Sequence, residues 1–502
     1  MKKSAIAIAT IIGLTSASAS AMDYFFKTGR SLGYGSAGTT YAHWSAAANH
    51  NPALIGAAAG TDEDFFLVLN GSINVVEQGD TIDSIDAFTE ASDRFNESDN
   101  ADLLDGDIED LQKNVDNANE LVSAIEDLNG IGVNGNVAVS GGLGMSFEKF
   151  AISFQMNTQV VAGGTALVAE NDTNYLRRFT QLSQVLQKEV RPEYDKIRAA
   201  QAQLDVLRDQ YNNGNATLDD LDTAEQLLED AEVAADNLKS ELVGVNTEYS
   251  DIFDTENQTI IFDEEDLESA ARFVAIGWFE AGMTIGRNWQ LDSGKTLSVG
   301  TTVKSVHLEF YDYQSPAAGF DEDDIDGDDY RNSTDFLTAD IGAILALDSQ
   351  DKWRVGVTVK NLNGVTIKSN PVRMQEGQEE LIFEVEPQVR IGTSYNGGWY
   401  RLAADVDVTE SKGPHYADGT EFFQGTQYAS VGAVINAWDF IELRAGYRHN
   451  LISDDELDAS TSDSQGLVTA GAGIFIGPIQ FDLGLQASDG EVGGSLQTMI
   501  TW

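Results

Sequence analysis

The chain has 502 residues, with 82 Asp and Glu against 30 Lys and Arg, a net charge of −52, 42% hydrophobic residues and no Cys. So acidic a surface repels polyanions and argues against a nucleic-acid partner, while the lack of Cys removes disulfides, thiol catalysis and thiolate metal sites. The acidic excess is concentrated at Asp321 to Asp329, at Asp454 to Asp458 and in helical insertions, and reads as solvated loop surface.

In chain order, residues 1–21 read as a secretory signal, with Lys2 and Lys3, an apolar stretch from Ala5 to Leu14, and small residues ending at Ala19, Ser20 and Ala21. The stretch is too short to cross a bilayer, so its removal is expected, with Met22 starting the mature chain. No later segment offers the roughly 18 uninterrupted apolar residues that a membrane helix needs. Residues 22–63 are rich in Gly and Ala and contain Asn51, Pro52, Ala53 and Leu54.

Period-two hydrophobicity begins next. It predicts strands over 64–76, 136–146, 149–163, 270–287, 296–311, 335–347, 352–363, 386–396, 399–411, 427–436, 439–449, 466–476, 478–487 and 493–502. The clearest sets Tyr400, Leu402, Ala404, Val406 and Val408 against Arg401, Ala403, Asp405, Asp407 and Thr409. One face suits lipid and the other water. Most spans reach the ~9–11 residues that a tilted strand needs to cross a bilayer, against about 5–6 in globular sheets. The span at 270–287 is less regular and leaves room for a short helix at its start.

Two insertions read as helical. Ile108, Leu111, Val115, Ala118, Val122 and Ile125 make one stripe, so a helix covers 101–128. Residues 173–245 read as a helical hairpin about the turn Asn212, Asn213, Gly214, Asn215, with Val190, Ile197, Leu204 and Tyr211 facing Leu221, Ala224, Leu228 and Ala231 as an antiparallel coiled coil. Pro192 is expected to kink or restart its first helix. The two sets either pack on each other over a barrel mouth or dock a protein partner.

The connections alternate in length. Those near 147, 292, 349, 397, 437 and 477 are short, and those between the other strand pairs are mostly long. Every long loop therefore lies on one side, as in bacterial outer-membrane barrels with periplasmic turns. The fold class expected is an all-β membrane barrel of about 14 antiparallel strands in the bacterial outer membrane, with outer-membrane lipid and the barrel-assembly machinery as partners. Of the 7 Trp, Trp289, Trp353, Trp399, Trp438 and Trp502 fall on the short-turn side, where an aromatic girdle belongs. Leu496, Ile500 and Trp502 also end the chain in an alternating strand with a terminal aromatic, similar to a barrel-assembly signal.

Inside the barrel, Arg354, Lys360, Arg390, Arg401, Arg444 and Arg448 share the inner face with Asp340, Asp405, Asp407, Glu442 and Asp482. These charges either set selectivity along a conduit or pair across the bore and close it. His43, His50, His307, His415 and His449 stand in no defensible spacing with Ser and a carboxylate, so no catalytic residue is assigned and no enzyme is expected. Asp324, Asp326, Gly327 and Asp328 loosely match a calcium loop, yet Glu322 and Ser333 misplace its first and twelfth ligands. No metal and no cofactor are expected.

From Gly29 the chain reads GRSLGYGSAGTTYAHWSAAANHNPALIGAAAG ahead of the first strand. This resembles the FadL-like superfamily of outer-membrane barrels, in which a stretch with an Asn-Pro-Ala motif forms a plug inside a fourteen-stranded barrel. It looks closest to the conjugal transfer TraF-type branch, where Asn-Pro-Ala-Leu replaces the Asn-Pro-Ala-Gly of long-chain fatty-acid transporters. The resemblance implies that residues 22–63 are a plug within a barrel of residues 64–502. Asn51, Pro52 and Ala53 would belong to that plug, Pro52 fixing the backbone and Asn51 bonding to nearby main chain.

Two functions are then expected. The first is passage of small hydrophobic or amphipathic compounds, with an apolar small-molecule ligand. The second is a non-transporting accessory barrel of a conjugative transfer, secretion or envelope system, acting through its helical insertion. An apolar pocket between plug and wall favours the first, and a lumen packed with paired charges favours the second.

Overall fold

In the computed structural model all fourteen expected strands form, and they close into one barrel. The structure describes residues 22–77, most of 84–94, 108–128, 132–185, 188, 191–230, 233–234, 253–254, 259–260, 268–316, 328–370, 379–438, 440–452, 466–488 and 491–502. The expected signal, residues 1–21, lies outside these, as do residues 101–107, most of 231–245 and the acidic segments 321–327 and 454–458.

The barrel strands are β1 Phe65–Glu77, β2 Gly132–Ser146, β3 Ala151–Leu167, β6 Ala270–Gln290, β7 Thr296–Pro316, β8 Arg331–Ala346, β9 Trp353–Lys360, β12 Gln388–Asn396, β13 Tyr400–Asp407, β14 Tyr428–Trp438, β15 Ile441–Asn450, β16 Gly466–Ile476, β17 Ile479–Ala487 and β18 Glu491–Thr501. Two small hairpins, β4 Phe253–Asp254 with β5 Thr259–Ile260 and β10 Val365–Lys368 with β11 Ile382–Val385, stand outside the barrel sheet. Neighbours in the barrel are antiparallel, and β1 closes on β18 from Phe66 opposite Thr501 to Val76 opposite Glu491. Closure leaves no strand edge, so every strand finds backbone partners on both sides without water.

Side chains divide as the period of two requires. On β17, Gln480, Asp482 and Gln486 are buried while Phe481, Leu483 and Leu485 are exposed. On β15, Glu442, Arg444 and Arg448 are buried while Leu443 and Tyr447 are exposed. An apolar outside around a polar inside inverts the arrangement of a water-soluble barrel, and a bilayer is the solvent that accepts it. The chain is an outer-membrane β-barrel.

Two local expectations change. The span beginning at Ala270 holds no helix, because Ala270 and Ala271 pair with Leu167 and Ala166 on one side and Pro316 and Ser315 on the other. The connection over 363–386 contains the β10–β11 hairpin, whose four-residue strands are too short to give a periodic signal.

The described helices are α1 Gly29–Leu32, α2 Ala53–Ala57, α3 Ile108–Leu128, α4 Glu170–Val185 and α5 Arg191–Asn212, with another turned helix over 218–230. Pro192 is the second described residue of α5, and most of the residues joining α4 to α5 lie outside the described ones. Gly214, at φ +73°, turns the chain, and Leu204, Leu221 and Ala224 are buried between the two arms with Arg208 paired to Glu225. In the smaller insertion, Ala118, Leu121, Ala124 and Leu128 pack with Phe88, Ala91 and Ala166, and Arg177 of α4 pairs with Glu126 of α3. The helical sets therefore touch each other on the long-loop side.

Candidate functional site

The N-terminal segment lies inside the barrel, almost wholly buried from Met22 to Ala59 before emerging at Gly60 to Glu63 on the turn side. It starts α1 with a reciprocal cap between Thr28 and Ser31 and anchors that turn to the wall through Gly29 N, which donates to Asn70 Oδ1 at 2.8 Å. The segment runs directly against wall backbone. A Cβ added at Gly432 would meet Tyr34 O at 2.0 Å, and one at Gly300 would meet Pro52 O at 2.0 Å. Only a residue without a side chain admits such approach.

At the Asn-Pro-Ala motif, Asn51 Oδ1 accepts from Ala53 N at 2.9 Å, and Asn51 Nδ2 donates to Thr39 O at 2.9 Å and to Val357 O of the wall at 3.4 Å. One buried side chain thus joins the start of α2, the preceding plug loop and β9. Pro52 supplies the helical φ of −54° that leads into α2.

Charged side chains bind the segment to the wall. Lys360 donates its Nζ to Tyr24 O, Ala48 O and Asn49 O, at 2.6, 2.9 and 3.3 Å. Asp405 accepts from both Thr39 N and Thr39 Oγ1 at 2.8 Å. Arg448 pairs with Asp23 at 3.1 Å, and Arg30 pairs with Glu442 at 3.2 Å. Glu442 also takes Arg401 and Arg444, and Arg444 reaches Asp482. Arg390 pairs with Asp407 while Phe25 lies 3.6 Å from its guanidinium carbon.

Of the inner-face charges singled out from the sequence, Arg354 stands apart. It is half-buried at the turn-side end of β9 and pairs with Asp351 of the adjoining turn. The sequence reading omitted Arg272, Asp312, Lys304 and Glu280; Arg272 pairs with Asp312, and Lys304 pairs with Glu280 and with the expected Asp340. The alternation over 270–316 points the four omitted residues inward, so the pattern carried the signal. The plug's own Asp23, Lys27 and Arg30 gave none, because their segment has no period.

Two apolar clusters complete the filling. On the loop side, Met22, Tyr24 and Phe26 pack among Trp278, Leu308, Phe310, Phe383 and Phe423. On the turn side, Trp44, Leu54 and Ile55 pack against Phe66 and Ile344. Two luminal cavities lined by described residues hold about 20 and 10 Å³, each room for about one water.

Where the segment leaves the barrel, the structure joins a Ser, a His and a carboxylate that their sequence spacing does not bring together. His43 Nδ1 lies 2.9 Å from Ser45 Oγ, and Nε2 lies 2.9 Å from Glu63 Oε2, which also accepts from Trp44 Nε1. Burial keeps the His43 ring below its ordinary pKa, so the contact is a neutral N–H donating to a carboxylate; this bond holds Glu63 down to about 2. Ser45 is buried with its Oγ against Met499 Sδ, and His43 caps the short helix at Trp44, so the group latches the exit. Trp289, Trp353, Trp399, Trp438 and Trp502 are all exposed on this side, the last stacked on Phe65.

The profile of the family described as F plasmid transfer operon, TraF, protein matches residues 48–407, from the Asn-Pro-Ala motif to the end of β13. The chain belongs to that family. The Asn51 to Leu54 motif had led us to expect a barrel of the TraF type. None of the curated proteins compared with this TraF-family barrel matches it. Among solved structures, it is similar to the Pseudomonas putida toluene transporter TodX, at 10% identity over 97% of this chain and 98% of that one, with a TM-score of 0.39. A Pseudomonas aeruginosa FadL homologue matches at 11% identity over 96% and 99%, with a TM-score of 0.43. The barrel assignment stands on the strand ladder and the divided faces, not on these distant likenesses.

Proposed function

We propose that this TraF-family barrel is a sealed accessory component of an envelope or conjugative transfer system, acting through its loop-side helices rather than through its bore. The observation that carries the reading is the filled lumen. Plug backbone lies against wall backbone, Lys360 of β9 and Asp405 of β13 tie plug carbonyls and an amide to the wall, and the two luminal cavities lined by described residues are water-sized. The arms carry apolar groups that their own packing leaves exposed, among them Val206, Leu218 and Leu227. The family description, a protein of the F plasmid transfer operon, agrees with an envelope role. In this reading residues 1–21 direct export, and the exposed tryptophans form the periplasmic girdle of a Gram-negative outer membrane.

A second reading keeps its own observation. The loop-side cluster around Met22 to Phe26 is apolar, so withdrawal of that end of the plug would open a chamber suited to a small hydrophobic compound. Purification of intact and arm-deleted protein in detergent, with mass spectrometry of bound proteins and small molecules, separates the two. A protein partner lost with residues 173–245 supports the accessory role. An apolar ligand retained by both forms, with no partner, supports passage.

A further inference from the structure

On the turn-side half of the outer wall, β6 to β9 enclose an apolar depression of about 590 Å³, bounded by Ile285, Val299, Thr301, Ile341, Ala343 and Val357. Its floor is backbone with the plug directly behind it. Gly286, Gly300 and Gly342 are cross-strand neighbours in a single lateral row. A Cβ added at each would strike Gly56 N at 2.6 Å, Pro52 O at 2.0 Å and Asn51 Oδ1 at 1.8 Å. The Asn-Pro-Ala segment and α2 thus bear on bare backbone from within, and the outward side chains beside that row include the short Thr301 and Ala343. The volume falls in the range of sites that hold small molecules.

One cation marks this depression. Among the described side chains, outward-pointing charges on the barrel strands sit toward the loop side, at Glu309, Arg331 and Asp335, with the exception of Arg287. Arg287 is three residues from the turn-side end of β6, on the lateral row of Val299, Ala343 and Val357. It is exposed, makes no ion pair with a described side chain, and its guanidinium lies 5.2 Å from the Trp289 ring centre. A lone arginine on a lipid face is unfavourable unless its head reaches polar groups, and roughly 10 Å of strand separate it from the turn, which places that head at the interface. The ring fixes one face of the guanidinium and leaves its N–H edge free for a planar, bidentate acceptor.

We propose that this depression is a seat for one anionic glycerophospholipid of the periplasmic leaflet, its phosphate on Arg287 and an acyl chain across Thr301 and Ala343. The leaflet follows from the short turns, and the phosphate follows from a guanidinium with no ion pair among the described side chains, on a protein whose net charge of −52 otherwise repels anions. The plug bears on the inner side of the same backbone that floors the seat.

The test is native mass spectrometry of the full-length protein in detergent, titrated with phosphatidylglycerol and, separately, with phosphatidylcholine and palmitate. The unaltered protein should retain one phosphatidylglycerol in preference to the others. Arg287→Gln should weaken that retention about tenfold, the loss of one charge-assisted contact. Ala343→Phe, which fills the depression and keeps the charge, should weaken it as well, and Arg287→Lys should restore part of it. Heat-dependent gel mobility confirms that each variant is folded. Equal retention by the unaltered protein and Arg287→Gln would show ordinary annular lipid and overturn the proposal. Palmitate bound as tightly as phosphatidylglycerol would overturn it in favour of a carboxylate ligand.

Discussion

Gly432→Ala tests how tightly the plug is seated. The new Cβ would lie 2.0 Å from Tyr34 O, 2.7 Å from Tyr34 C and 2.8 Å from Tyr34 Cβ, so plug or wall must move by about an ångström. Neither is free to do so, because Asn70 holds Gly29 and Asp405 holds Thr39 on either side of the contact. Overpacking of this kind costs about 1–3 kcal/mol, offset by about 0.5–1 kcal/mol from removing a glycine inside a strand. A net loss of roughly 1–2 kcal/mol follows. Gly71→Ala is the control, since nothing stands within 4 Å of its added Cβ and only the favourable backbone contribution remains. Guanidinium unfolding in detergent, read by tryptophan fluorescence, should place Gly432→Ala at a lower midpoint than Gly71→Ala. Equal midpoints would refute the backbone-on-backbone seat.

Other outcomes follow from the same contacts. Lys360→Met removes three bonds to plug carbonyls, so at least ~1.5 kcal/mol of local stability should be lost, and hydrogen exchange should rise over residues 22–50 more than in the strands. Arg272→Ala leaves Asp312 and Ser369 buried beside each other and frees Glu379 O; a loss of about 3–5 kcal/mol should show as early proteolysis within 363–386. Burial raises the Glu421 carboxyl to about 7 in the connection between β13 and β14. Its folded-state value exceeds the unfolded one, so its stabilising contribution is whole below about 4.5 and disappears as pH rises through 7. Protection over residues 411–426, measured against the intrinsic base-catalysed exchange rate at each pH, should therefore fall between pH 5 and 8, and Glu421→Gln should abolish that fall. Deleting residues 173–245 should leave a heat-modifiable barrel, because β3 pairs with β6 along the whole of β3 without the insertion.

The barrel was legible because each strand carries a two-sided pattern that lipid outside and a polar filling inside both reinforce. Tyr400 to Thr409 is the plainest case, and the long β6 and β7 were recognised although β6 was cut short at its turn end and β7 at its loop end. The β10–β11 hairpin was not legible, since Val365–Lys368 spans barely two alternations. Asp405, Glu442 and Arg448 announced an inner charge, but nothing in their spacing says whether a partner faces them. The answer lies in Thr39, Arg30 and Asp23, which belong to a segment without period and meet their partners more than 300 residues away in the chain. The exit latch was hidden for a related reason, since Glu63 reaches His43 only after the intervening chain has turned back through Asn51 to Ala57.

Single-channel recording in planar bilayers measures the sealed bore directly. The intact protein should give no conductance steps, and removal of residues 22–63 should give stable open steps of uniform size. Open steps from the intact protein, equal to those of the truncated form, would contradict the account.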